Sequence, residues 1–545
     1  MPDNLIPRTP SAYAYPLLIK NLLFAPVADN PDQEIIYADR FRFTYAEFKQ
    51  RVAKLANALT DLGVKPGDTV AVMDWDSHRY LECFFAVPMI GAVLHTVNVR
   101  LLPEQVIYTI DHAEDDFLLI NSDFLPLIEK IKGRLNTVKH FIVLQDKEEL
   151  PKTSITLTGE YEALVGAASD QFTFEDFDEN TRATTFYTTG TTGMPKGVYF
   201  SHRQLVLHTL CTMTMLATSA EQGRIHQQDV YMPITPMFHV HAWGFPYIAT
   251  TMGIKQVYPG KYVPANLLQL IDREKVTFSH CVPTILHMLI TSPEFATTDL
   301  SNWKVVIGGA SLPKKLCKSA RAKGIDIFTG YGMSETCPVL TIAHVGNQDL
   351  DEDAEIERRC KTGRPLPLVQ MKILDDRMQE VEPDGTAVGE ITVRAPWLTQ
   401  GYWKGIRNSE NLWHGGYLHT GDVANIDARG YVNITDRIKD VIKIGGEWLS
   451  SLELEDIINL HESVSEVAVI GMEDDKWSEK PLALVVVDQT AEAVDAKKII
   501  QHVKAYIDKG LMNKLAVLMK VKFVDAIDKT SVGKTDKKLL REKYL

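Results

Sequence analysis

The chain carries almost nothing that could anchor it in a membrane or staple it covalently. No apolar run approaches the ~18–20 residues that a bilayer span needs. The opening residues, Met1 to Leu23, hold a short apolar patch broken by Lys20. They lack the basic start, long apolar middle and small-residue cleavage site of a secretory signal. Six cysteines (Cys83, Cys211, Cys281, Cys317, Cys337, Cys360) are scattered without a CxxC pair. That excludes the common zinc and dithiol motifs and fits reduced thiols in a cytoplasmic enzyme. The chain ends in Lys-Tyr-Leu, which is not a peroxisomal address. Positive charge is in deficit as well: 58 Lys and Arg face 71 Asp and Glu, a net charge of −13. A protein that coats nucleic-acid phosphates is disfavoured, whereas a local basic site for a phosphorylated ligand is not.

The remaining composition is that of an ordinary globular protein, 45% hydrophobic and 24% charged. At roughly 100–200 residues per domain, 545 residues imply two to four folding units. Helix and strand signals alternate through the first third. Thr44 and Glu47 have the spacing of a capping box ahead of an apolar stripe (Phe48, Val52, Leu55, Leu59, Leu62) that Gly63 ends. Val70–Met73 and Phe141–Leu144 read as short buried strands, so helices packed on a largely parallel sheet are expected. The acid-rich stretch 349–357 reads as a solvated loop. Asp436–Asp440 reads as a charged, strand-breaking stretch and is placed as a domain boundary. Beyond it come a helix capped by Ser450, strands at Val467–Ile470 and Leu482–Val487, and a helix near 496–508. These make a small α+β unit large enough for its own core.

The segment Phe186 to Gly197 (FYTTGTTGMPKG) is the most informative. Glycines let backbone N–H groups turn inward, four threonines add hydroxyl donors and Lys196 supplies a cation, which together suit a polyphosphate. Pro195 precedes the lysine and no Gly-Lys-Ser/Thr ends the loop, so it is not a Walker A motif. This loop resembles the signature phosphate loop of the adenylate-forming enzymes, which comprise acyl-CoA synthetases, firefly luciferases and peptide-synthetase adenylation domains. Further stretches resemble that family in order and spacing: Gly330–Thr336 (GYGMSET), Tyr417–Asp422 (YLHTGD), Asp436–Asp440 with Lys443–Glu447, and Thr530–Lys534 (TSVGK).

The resemblance implies an α/β fold, with a large multi-subdomain N-terminal domain (1–436) of parallel-rich sheets and helices, a hinge at 437–440, and a small mobile α+β C-terminal domain (441–545). It also implies an AMP-forming acyl-CoA ligase that uses ATP, Mg²⁺ and coenzyme A. In such an enzyme Thr188, Thr189, Gly190, Thr191, Thr192 and Lys196 would hold the phosphates. Tyr331 and Gly332 would hold the adenine with Gly308, Gly309 and Ala310 beside it, Ser334 would contact phosphate, and Glu335 would bind Mg²⁺. Asp422 and Arg437 would take the ribose hydroxyls, and Lys534 would bridge the carboxylate and α-phosphate. After rotation about Lys439, the loop Lys443, Gly445, Gly446, Glu447 and Trp448 would face the site for the CoA step. Ser334, in place of the commoner threonine, and Ser478 after Trp477, in place of a common glycine, depart from the family pattern without removing an essential group.

The run Pro236–Trp243 (PMFHVHAW) resembles the acyl pocket of fatty-acid CoA ligases. It points to His239, Val240 and Trp243 with Gly308, Gly309, Cys337 and Pro338 as pocket residues, and to a medium- or long-chain fatty acid. A methylmercaptopropionate-like short acid or an aryl acid stays open. A luciferase shares the adenylation half, and a non-catalytic nucleotide-binding protein is the reading from another class. Intact Lys196, Glu335, Asp422, Arg437 and Lys534 argue against the latter. The resemblance permits a homodimer, although no feature of the sequence asks for one.

Overall fold

The computed structural model describes residues 4–146, 149, 152–188, 194–220, 223–346, 350–444, 447–488 and 494–545, with the side chain of Trp448 left aside. Thr189, Gly190, Thr191, Thr192, Gly445 and Gly446 therefore lie outside the described residues.

Local signals act as the sequence leads one to expect. Thr44 caps helix Tyr45–Asp61 with a full capping box, and the helix buries Phe48, Val52, Leu55 and Leu59. Gly63 then leaves the helix at φ +97°, a conformation that costs glycine little. Among the described residues the strands form four sheets. Strand Thr69–Met73 lies central in a seven-stranded sheet, parallel to Val93–Thr96 and Asp115–Asn121, which closes antiparallel through Arg182–Thr188 and Lys196–Ser201. A nine-stranded sheet is parallel through its centre, including Phe278–Cys281, Lys304–Ile307 and Asp326–Gly332. One continuous core fills the space between these layers, with Tyr45, Phe84, Phe85 and Trp397 wholly buried. An antiparallel sheet containing Tyr417–Ile426 and Val432–Arg437 follows. The C-terminal sheet has its own core, built from Ile442, Leu454, Val469, Val485, Ile499 and their neighbours.

Three expectations need correction. Residues 352–360 are not a solvated loop but a helix, Glu352–Cys360, capped by Asp351. Its acids crowd the first turn, where the helix dipole favours negative charge, and Glu355 pairs with Arg359 one turn on. Asp436 and Arg437 do not break a strand: Val432–Arg437 runs through them, with Arg437 directly opposite Asp422. The C-terminal strands are also longer than their apolar centres, Val464–Asp474 and Ser478–Val487.

Candidate active site

The site gathers at the carboxyl ends of parallel strands, where open α/β sheets usually place ligands. Strand Lys304–Ile307 delivers Gly308 and Gly309, strand Asp326–Gly332 delivers Tyr331 and Gly332, and strand Arg182–Thr188 ends on Thr188. A narrow cleft, with room for only about 30 Å³, opens there. His239, Val240, Trp243, Gly308, Gly309, Tyr331, Gly332, Ser334, Pro338 and Lys534 all border it. Val306, Met333 and Val339 complete an apolar flank. Cys337, expected in the pocket, is wholly buried in the same core cluster as the lining residues Val240 and Trp243 without itself bordering the cavity, and Ala310 stands exposed outside the lining.

Close approach accounts for the glycines. A Cβ on Gly308 would lie 3.0 Å from the Trp243 ring and 3.0 Å from the Gly330 carbonyl. One on Gly309 would lie 3.1 Å from Lys534 Cε. Trp243 reaches Gly308 because Val240, His241, Ala242, Trp243 and Gly244 all take positive φ, between 47° and 78°. Each non-glycine residue held so costs about 1–2 kcal/mol, and such cost tends to concentrate at functional positions.

Two polar clusters flank the cavity. In the first, the Tyr331 hydroxyl donates to Asp422 Oδ2 (2.8 Å) and Arg437 Nε donates to Asp422 Oδ1 (3.1 Å). In the second, the Tyr402 hydroxyl donates to Glu335 Oε1 (2.7 Å), and Lys196 Nζ lies 4.7 Å above the Tyr402 ring. Lys196 is also the cross-strand partner of Thr188. Tyr402 therefore links the expected phosphate cation to the expected metal ligand, a link that no sequence motif marks. It sits 67 residues from Glu335, and no spacing pattern ties it to either partner. Among the described residues no cluster of three or more His, Cys, Asp or Glu side chains gathers to hold a metal. The single buried carboxylate of Glu335 fits Mg²⁺, which takes most of its ligands from phosphate and water.

Charge in the cleft follows from enclosure. Burial, reinforced by the Lys534 and Arg100 cations, holds His239 down to about 3, so it is neutral near pH 7. Burial and then Arg437 lower Lys534 to about 8. Its ammonium is fully present below that pH and is lost as pH rises through it. Adenylate formation by the unliganded enzyme, read as kcat/KM for ATP, should accordingly fall about tenfold per unit above pH 8. A profile from pH 6.5 to 9.5 checks this, and a flat alkaline limb would contradict a required Lys534 cation.

Lys443 and Glu447 do not reach the cleft: both are exposed on the hairpin Ile442–Ile444 and Glu447–Leu449. Around the expected hinge, Asp436 Oδ2 accepts from the N–H and hydroxyl of Ser451 (2.6 and 2.7 Å), while Asp440 pairs with Arg541 (2.8 Å). On the other side, the Ile438 N–H donates to the Gly421 carbonyl (3.0 Å). No helix among the described residues is long and apolar enough to cross a membrane.

The AMP-binding enzyme family model matches residues 23–403, and the AMP-binding enzyme C-terminal domain model matches 453–534. A long-chain-fatty-acid–CoA ligase of Thermus thermophilus is 40% identical over 509 residues, covering 92% of this chain and 90% of that protein. A 3-methylmercaptopropionyl-CoA ligase of Ruegeria lacuscaerulensis is 36% identical, covering 97% of each. Among solved structures, ATP-bound MatB from Rhodopseudomonas palustris matches with a TM-score of 0.82 at 26% identity, over 97% of this chain and 99% of that one.

Proposed function

The chain belongs to the AMP-binding enzyme family, as an AMP-forming acyl-CoA ligase, and we propose that its acid is a medium- or long-chain fatty acid. The observation that carries this reading is the union of Lys534 with an apolar flank in one cleft. Val240, Trp243, Val306, Met333, Pro338 and Val339 offer an alkyl chain a dry wall, while Lys534 and neutral His239 meet its carboxylate end. The similarity to the Thermus long-chain ligase supports the same assignment.

In the first half-reaction a carboxylate oxygen attacks the α-phosphorus of ATP and diphosphate leaves, so negative charge spreads over phosphoryl oxygens. Lys534 stabilises that charge and aligns the carboxylate. Thr188 and Lys196 hold the outer phosphates, together with Thr189, Gly190, Thr191 and Thr192, and Ser334 adds a hydroxyl. Asp422 keeps acceptor capacity for ribose hydroxyls while Tyr331 and Arg437 fix its orientation, and the Tyr331 ring faces the base. Glu335, held by Tyr402, would bind Mg²⁺, which when present neutralises phosphate charge. In the second half-reaction the CoA thiol attacks the acyl-adenylate carbonyl and AMP leaves. The thiol is the nucleophile, so the protein needs only to admit it. We assign the hinge to 437–440, between domains 1–436 and 441–545. Rotation about Lys439 withdraws Lys534 and turns Lys443, Gly445, Gly446, Glu447 and Trp448 toward the site. The separate C-terminal core supports movement as a body, and the exposed Lys443 and Glu447 leave that face available.

A short thioether acid is the second reading, favoured by the 36% identity to the methylmercaptopropionyl-CoA ligase over nearly the whole chain. The experiment is carboxylate-dependent AMP release, with and without CoA, across acids of two to eighteen carbons plus methylmercaptopropionate and benzoate. Matched AMP and acyl-CoA, with an optimum among the medium or long chains, is the expected result. An optimum at methylmercaptopropionate or benzoate would overturn the assignment of the acid.

A further inference from the structure

The loop that presents Lys534 is stiff and is gripped from outside the C-terminal domain. The Thr530 N–H donates to the Lys534 carbonyl (2.7 Å), the Gly533 N–H donates to the Thr530 carbonyl (2.9 Å), and Lys529 pairs with Thr535. A loop closed on itself in this way moves as a unit, so whatever holds residues 531–533 also places Lys534. Asn98 Nδ2 donates to Ser531 Oγ (3.1 Å), Arg100 Nη1 donates to the Ser531 carbonyl (3.1 Å), and Thr284 Oγ1 donates to the Gly533 carbonyl (3.1 Å). Between them Val532 is buried within the large core cluster, in company with Val282 and Trp243. Gly533, at φ +83°, lies so close to Thr284 that a Cβ would sit 2.9 Å from its Oγ1.

We propose that Asn98, Arg100 and Thr284 form a seat that holds Lys534 in the cleft and sets how long the adenylating arrangement persists. They are positioning residues, acting through the 530–534 loop rather than on the reacting atoms. The inference rests on the reading of Lys534 and of the domain rotation given above. Asn98 and Arg100 follow strand Val93–Thr96, and Thr284 follows strand Phe278–Cys281. Two separate strand ends thus grip one loop of the other domain. These bonds exist only while Lys534 is inserted, so they must break before the thiol step. Weakening them should slow the first half-reaction and leave the second intact or faster.

The test uses the full chain and both half-reactions: single-turnover adenylate formation, and acyl-CoA formation from pre-made acyl-adenylate. Asn98→Ala, Ser531→Ala, their double variant and Thr284→Val are compared with the parent. Arg100 is left alone because its guanidinium also lies over Phe238 (6.0 Å) and its charge bears on His239. Each variant should lose about tenfold in adenylation, with no loss in the thiol step. Asn98→Ala and Ser531→Ala remove the same bond, so the double variant should be no slower than the worse single one. Lys534→Ala, run alongside, separates the two readings. If it depresses both halves equally, the assignment of Lys534 fails. If it splits the halves while Thr284→Val and Ser531→Ala leave adenylation unchanged or slow both halves alike, or Ser531→Ala combines additively with Asn98→Ala, the seat is overturned. Melting temperatures identify a misfolded variant, and the conservative Thr284→Val carries the test if Asn98→Ala does not fold.

Discussion

Replacing Lys534 with alanine should lower adenylate formation by about a hundred- to a thousandfold while leaving thioester formation from pre-made acyl-adenylate near the parent rate. Losing one preorganised donor from a transition state that builds negative charge costs roughly that much. Lys534 reaches the cleft as a cation on a rigid loop, against the backbone of Gly309 and beside neutral His239. No other lysine or arginine borders the cavity among the described residues. In the proposed rotation Lys534 is withdrawn before the thiol step, so that step proceeds without it. Rapid-quench measurement of each half separates the two. Equal loss in both would mean that Lys534 supports the fold of the cleft rather than its chemistry, and an unchanged first half would remove it from the mechanism.

How far the sequence discloses this site depends on how locally each part is built. Helix Tyr45–Asp61 and its capping box are legible because cap, stripe and stop lie within twenty residues. The helix Ala496–Asp508 is likewise where its periodicity places it. Helix Glu352–Cys360 escapes notice because six acids in nine residues resemble a solvated loop. Yet the Asp351 cap and the Glu355–Arg359 pair were there to be read. Arg437 continues a strand for a reason no local reading supplies: its ladder partner is Asp422, fifteen residues earlier. Motif resemblance places Glu335, Lys196 and Lys534, but it is silent on Tyr402, Asn98 and Thr284. Their partners lie tens to hundreds of residues away, and only the folded chain brings them together. Cys337 fails in the opposite sense. It is adjacent in sequence to the lining residue Pro338 and wholly buried, yet it does not border the cavity.

Gly332→Ala is expected to be nearly as damaging as loss of Lys534, by a steric route. Gly332 pairs with Val339 where the chain doubles back from the Tyr331 strand to the acyl wall. A Cβ there would stand 1.8 Å from the Pro338 carbonyl oxygen and 2.5 Å from its carbon. No flexible side chain can yield, since both atoms are backbone. The two strands must therefore separate, at a cost toward the upper end of the roughly 1–3 kcal/mol typical of overpacking. That movement carries Tyr331 away from Asp422 and Pro338 away from the cleft, damaging the proposed nucleotide and acyl sides together. Adenylate formation should drop at least a hundredfold, the KM for both ATP and acid should rise, and the melting temperature should fall. Gly421→Ala provides the contrast. Gly421 sits at φ +72° with no atom within 4 Å of a built Cβ, so alanine there bears only the left-handed backbone cost of about 1–2 kcal/mol. If both substitutions prove equally mild, the close approach at Gly332 is not what shapes the cleft. If Gly332→Ala alone removes activity, the backbone contact between residues 332 and 338, too close to admit a methyl group, is what keeps the proposed adenine and acyl walls in register.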